Sequence, residues 1–305
     1  MSEHLATPAS LDHVVTMDAQ RPRHRRAVRL GRKWVLPAVA FAIVCGIVTC
    51  RILLNLNVPG QPSAPFYAYM DFRDAFYYPA VALLDGHNPY LASEYLRTYS
   101  VMRPFSPYPP LVMLVHLPFA LLPIQPAEIL YHFTNLALLV LLAYLTIRLI
   151  PVAATPERIL WLATLLLLSH PAHMSLFLGQ CTLFVVVGTY LALLFPRTRP
   201  WVAAVGFAVT CLKPTFGIPL GIVLLVRRDW ATVIRGSLVA AVASIPASVM
   251  LVHAAGGIAP LLASFRESYA FHANAAATAP ACDSRYAARI IAACHNRERS
   301  SCSSC

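Results

Sequence analysis

Apolar runs separated by short polar or proline-bearing gaps dominate the chain from residue 34 onward. The first run, 34–56, is longer than the ~20 residues with which an apolar helix crosses a bilayer. It starts too far from Met1 and runs too long for a signal-peptide core, so it is expected to be a retained anchor. Residues 129–150 form a second full-length run and 233–252 a third. The runs between them are shorter. Residues 159–168 and 181–195 flank a break at 169–180, while 201–212 and 215–226 flank the pair Lys213 and Pro214. The run 111–122 carries Pro118 and is either re-entrant or spanning. Proline is tolerated in such segments where neighbouring helices or water take up the freed carbonyls.

The longest interruption is 57–108, dense in Pro, Tyr, Asp and Arg. Inside it, 75–84 (AFYYPAVALL) is apolar and aromatic on all sides and stops at Gly86. This pattern predicts a short helix at the membrane interface, its tyrosines at headgroup level. The whole reads as an all-α, polytopic bundle of about seven to eight membrane segments with a long first outer loop. Three regions follow: a basic tail at 1–33, expected to be disordered; a membrane domain at 34–265; and a polar tail at 266–305, where the apolar pattern is lost. That tail reads as a truncated or non-native end, or as an ordinary disordered cytoplasmic extension.

Composition sharpens this picture. Of 305 residues, 58% are hydrophobic and only 12% charged, against about a quarter charged in a soluble domain. With a mean hydropathy of +0.62, an ordinary soluble enzyme is excluded. The formal charge of +11 suggests nucleic acid until its placement is considered. Basic residues crowd between Arg21 and Lys33, and Arg148, Arg158, Arg197, Arg199, Arg227 and Arg228 sit at segment ends. Basic flanks on apolar runs mark the cytoplasmic side of a membrane protein. The N-terminus is therefore expected inside, the 57–108 loop outside, and no nucleic acid is expected as a partner. Cys45, Cys50, Cys181 and Cys211 lie in apolar runs as small hydrophobes. Cys282, Cys294, Cys302 and Cys305 match no zinc spacing.

Acids are so scarce that the search for chemistry is short. Glu157 and Asp229 stand beside arginines at segment ends, and Glu128 opens a helix, where its charge suits the dipole. That leaves Asp71 and Asp74 in YMDFRDAFYY, flanking Arg73 among aromatics. A carboxylate partly desolvated at such a surface can become a general base. The plainer alternative is an Asp–Arg pair that caps the 75–84 helix. Lys213 interrupts a long apolar stretch, which marks it for a role with an anion, or for snorkelling to the headgroups. Gln180 marks the other break.

Taken in order, Asp71-Phe72, Tyr77-Tyr78, Ala82-Leu83-Leu84-x-Gly86-x-Asn88-Pro89-Tyr90, Tyr108-Pro109-Pro110-Leu111, Pro118, Leu121-Leu122-Pro123, Gly179-Gln180 and Lys213-Pro214 resemble glycosyltransferase family 87. The resemblance extends over about residues 30–265. It implies a multi-pass enzyme of GT-C type, mannosyltransferase-like, with a polyprenyl-phosphate sugar as donor and an extracytoplasmic glycan or glycolipid as acceptor. It implies Asp71 as the base of an inverting transfer. The interval from Asp71 to Gly86 is one residue longer than the family pattern, which keeps Asp74 as a second candidate. Arg73, Arg103 and Lys213 are the cations for the phosphate, and Gln180 orients a sugar or phosphate oxygen. Tyr90 enters the substrate side through the loop that it shapes with Asn88. The resemblance implies a bacterial plasma membrane, names no cofactor beyond the donor, and leaves a divalent metal open. Two other readings stay beside it: a lipid-linked sugar transporter or flippase, and an inactive truncated form of the enzyme.

Overall fold

The computed structural model describes residues 32–56 and 68–278. Among these residues every regular element is helical. A 3-10 turn at Arg32–Trp34 leads into α1 (Val35–Leu54). At ~1.5 Å per residue, its 20 residues reach the thickness of a bilayer core. Leu36, Val39, Ile43, Ile47 and Leu54 on α1 are all exposed, an outward apolar face that only lipid would solvate well.

The chain resumes at Ala68 and runs through α2 (Met70–Phe72), a π turn (Arg73–Tyr77) and α3 (Tyr78–Leu84). The expected 75–84 helix therefore begins earlier, and its ring face points inward. Phe76, Tyr77, Ala80, Ala82 and Leu83 are buried. Tyr77 donates its hydroxyl to the Leu122 carbonyl at 2.8 Å, in the turn between α5 and α6. Then come α4 (Ala92–Thr98), α5 (Leu111–Ala120) and α6 (Ile124–Arg148). The helices α7 (Pro156–Leu168) and α8 (His170–Leu178) meet at Ser169 with a bend of 74°. They are followed by α9 (Thr182–Leu194), α10 (Pro200–Thr210), α11 (Pro214–Val226), α12 (Trp230–Ala254) and α13 (Ile258–Thr278). The last helix crosses residue 265, so helical structure continues into the expected tail as far as Thr278. The basic tail at 1–31 and the terminal 279–305 lie outside the described residues.

Three described helices, α1, α6 and α12, are long and apolar enough to cross a membrane, and a fourth span is complete if α7 and α8 are taken together. The shorter apolar helices α5, α9, α10 and α11 pack among them. In the bundle, α1 lies along α7, α6 runs between α7 and α9, and α10 lies between α9 and α12. Helices in lipid gain no hydrophobic drive from pairing, so close backbone approach has to supply contact. Gly188 and Gly206 do this: a Cβ on either would sit 2.6 Å from the other's carbonyl oxygen. The bundle thereby brings four chain breaks to one end, and the site is built there.

Candidate active site

Asp71 lies in the first turn after Tyr69, a non-glycine residue held in the left-handed region at φ 61°. Two contacts hold that conformation. The Tyr69 amide donates to the Phe177 carbonyl at 2.8 Å, and its hydroxyl meets His132 Nδ1 at 2.8 Å. His132 Nε2 in turn meets Thr49 Oγ1 at 2.9 Å, so one buried imidazole joins α1, α6 and the entry to α2. Underneath, Phe72 is fully buried and stacks on Tyr131 with ring centres 4.2 Å apart.

Facing Asp71 is the end of α8. Gly179 closes that helix at φ 69°, a conformation costly for any residue with a Cβ. A Cβ at Gly179 would also come within 2.6 Å of the Tyr69 ring and 2.7 Å of Phe72 Cβ. Glycine is needed here twice over, for the turn and for the approach. The approach delivers the next residue: Gln180 Nε2 donates to Asp71 Oδ2 at 2.8 Å. Its other amide atom, Oε1, accepts from Thr182 Oγ1 at 3.1 Å, and that hydroxyl accepts from Lys213 Nζ at 3.2 Å. Lys213 sits at the cap of α11, where Pro214 opens the helix.

Arg103 completes the array from the loop between α4 and α5. Its Nη2 pairs with Asp71 Oδ1 and its Nε lies 3.6 Å from Asp74 Oδ2. Burial draws the Arg103 pKa down, but the Asp71 and Asp74 carboxylates more than offset this and raise it, so the guanidinium stays charged. The Arg103 side chain is 49% exposed, against 17% for Asp71 and 2% for Asp74. The two aspartates therefore do different work. Asp74 is buried and its carboxylate accepts from the Met102 and Arg103 amides, each at 3.2 Å, which fixes the loop that carries Arg103. Asp71 keeps an open side toward solvent. Tyr108 stands close by, packed at a tilt on Phe76. Burial, with the Cys181 thiol and the Asp71 carboxylate, pushes its phenol up to about 12, so it remains a neutral donor.

Four of the residues singled out from sequence thus join in one chain of contacts, Arg103, Asp71, Gln180 and Lys213, with Thr182 as the link that sequence reasoning missed. The signal for Thr182 was a hydroxyl two residues past the break, too common to stand out. Two other candidates go elsewhere. Arg73 turns to Glu128, Nε to Oε1 at 2.5 Å, with side chains 11% and 7% exposed. Glu128 therefore serves an ion pair and not merely a helix dipole. Tyr90 is fully buried and donates to the Tyr108 carbonyl at 2.6 Å, between Phe105 and Phe265. It supports the loop from behind. Among the described residues no three His, Cys, Asp or Glu side chains gather as a metal site. A cavity of about 280 Å³, lined by Asn88, Glu94, Ser264 and Glu267 among others, lies apart from this array.

A carboxylate held by an arginine and an amide, with a lysine at the far end of the same hydrogen-bonded chain, is an arrangement suited to moving a proton beside a developing anion. Comparison with known families decides which chemistry this serves. A family model, glycosyltransferase family 87, matches residues 105–280. The chain belongs to glycosyltransferase family 87. It is accordingly a multi-pass membrane glycosyltransferase, of a kind that works with lipid-linked sugar donors. Gln180, Thr182 and Lys213 fall inside the matched span, while Asp71 and Arg103 precede it. Searches of curated proteins and of solved structures return no match.

Proposed function

We propose that this glycosyltransferase moves a hexosyl unit, mannosyl in the first instance, from a polyprenyl-phosphate donor to a glycan or glycolipid acceptor. The reaction runs on the extracytoplasmic face of a bacterial plasma membrane, within a GT-C-type fold, with inversion at the anomeric carbon. Asp71 takes the proton from an acceptor hydroxyl as that oxygen bonds to the anomeric carbon. The bond from the anomeric carbon to the phosphate oxygen breaks on the opposite face, and polyprenyl phosphate leaves as the anion. Arg103 and Lys213 balance its charge. Arg103 is the mobile one, since its half-exposed arm can transfer from Asp71 to the phosphate and so free Oδ1 for the acceptor.

The observation that carries this reading is the contact chain from Arg103 through Asp71, Gln180 and Thr182 to Lys213. It offers a carboxylate for the acceptor's proton and two cations for the leaving phosphate. Asp74 supports the base by fixing the Arg103 loop, and Arg73 by holding the π turn to α6.

The test is transfer of label from radiolabelled polyprenyl-phosphate mannose to a crude lipid and glycan pool, in membranes that contain the chain. Asp71→Asn should lower transfer by about 10²–10⁴-fold, the usual contribution of a general base, with membrane insertion intact. Transfer at the full rate in that variant would remove Asp71 from the mechanism.

A further inference from the structure

Arg51 stands in the last turn of α1, near the end of a helix long enough to cross the bilayer, and so at headgroup depth. Its Nη1 donates to His173 Nε2 at 2.6 Å, and its guanidinium lies 5.0 Å from the Phe177 ring centre. The ring face and the imidazole together orient a side chain that a surface arginine would otherwise leave loose. His170 is one turn from His173 on the same side of α8. Arg51 and His170 are exposed and His173 is half-buried. Among the described residues Arg51 joins no ion pair, and the ion pairs that do form involve other cations. A guanidinium has five N–H donors in a planar fork that suits phosphate oxygens, and the single hydrogen bond to His173 leaves most of them unspent.

We propose that Arg51, His170 and His173 form a binding site for the phosphate headgroup of a membrane lipid, beside the active site. Donors directed to headgroup depth with no carboxylate among them have one abundant counterpart there, a lipid phosphate. Five residues of α8 follow His173 before the helix ends at Leu178, about 8 Å at the α-helical rise. A phosphate bound on the His170 and His173 side of Arg51 is therefore set back from the end of α8 that presents Gln180. It belongs to a lipid that flanks the active site and ties α1 to α8, whose far end carries Gln180.

The test uses the full chain, purified in neutral detergent and titrated by native mass spectrometry with phosphatidylglycerol, phosphatidylcholine, polyprenyl phosphate and inorganic phosphate. Phosphatidylglycerol should be retained in preference to phosphatidylcholine. Arg51→Gln should weaken that retention about fivefold, the effect of one cation at an anionic lipid surface. His170→Gln with His173→Gln, which leaves the α1 charge in place, should weaken it as well and guards against a folding defect in the first variant. Arg235→Gln, which removes a cation that lies over Trp201 elsewhere in the bundle, should change nothing. Equal retention of the two phospholipids, unchanged binding in both variants, or an equal loss in Arg235→Gln would overturn the site. Stronger retention of polyprenyl phosphate than of phosphatidylglycerol would overturn the assignment to a flanking lipid and give the site to the donor's own phosphate. Displacement by inorganic phosphate without any lipid preference would overturn the assignment to a lipid. Asp71→Asn leaves this binding unchanged, so failure of the base assignment and failure of the lipid site give separate results.

Discussion

Asp71 and Asp74 are three residues apart, face the same arginine, and still end in different roles because their burial differs. Asp74 is spent on two backbone amides, and its replacement would act through the position of Arg103. Asp71 is held by side chains alone, Arg103 and Gln180, which can exchange partners when substrate arrives. Thr182 is the residue whose loss would separate the halves of the array, because its hydroxyl serves the Gln180 carbonyl oxygen and the Lys213 ammonium at once. Thr182→Val should lower transfer at least about tenfold, since a hydrogen bond to a charged group is worth ~1.5–3 kcal/mol, while Thr182→Ser restores it. Steady-state assay of the two variants in parallel checks this, and equal activity in valine and serine forms would remove the link.

At the scale of elements, the site depends on helix ends being joined and not on any one helix being stable. The imidazole of His132 holds hydroxyls from α1 and from the entry to α2 while itself lying on α6. Replacing it by leucine leaves the buried Tyr69 hydroxyl without its partner, at a cost of about 1–3 kcal/mol. His132→Leu should therefore lower the thermal midpoint in detergent, and adding Tyr69→Phe should recover part of the loss, because removing both partners is milder than stranding one. No recovery in the double variant would show that the imidazole packs and does not bridge. The bend of 74° at Ser169 has the same logic. It lets α8 turn from its packing on α7 toward Asp71, and Gly179 then ends it where no residue with a Cβ would fit.

At the scale of the whole molecule, the proposed function requires the array to lie at one face of the membrane. Arg103 and Lys213 lie in one contact chain, and Arg227 stands beyond the 13 residues of α11, at the opposite end of the helix that Lys213 caps. In a background without the native cysteines, Arg103→Cys and Lys213→Cys should react with a membrane-impermeant maleimide from the same side, and Arg227→Cys from the other. Labelling of positions 103 and 213 from opposite sides would break the site apart. Much of this was written along the chain. Long apolar runs and basic flanks demand a helical membrane bundle because bilayer solvent accepts little else, and the rarity of acids singled out Asp71 and Asp74 while the odd polar residues at breaks singled out Gln180 and Lys213. Pattern alone left the two aspartates equivalent, did not foresee the ion pair of Arg73 with Glu128 or the buried rings of the 75–84 helix, and passed over Thr182 and His132. Those choices turn on which side chains meet across 30 to more than 100 residues of chain. Hydropathy and spacing describe each residue's preference for its solvent. Only the packing of α8 against α2, with Gly179 between them, decides which polar groups find each other once water is gone.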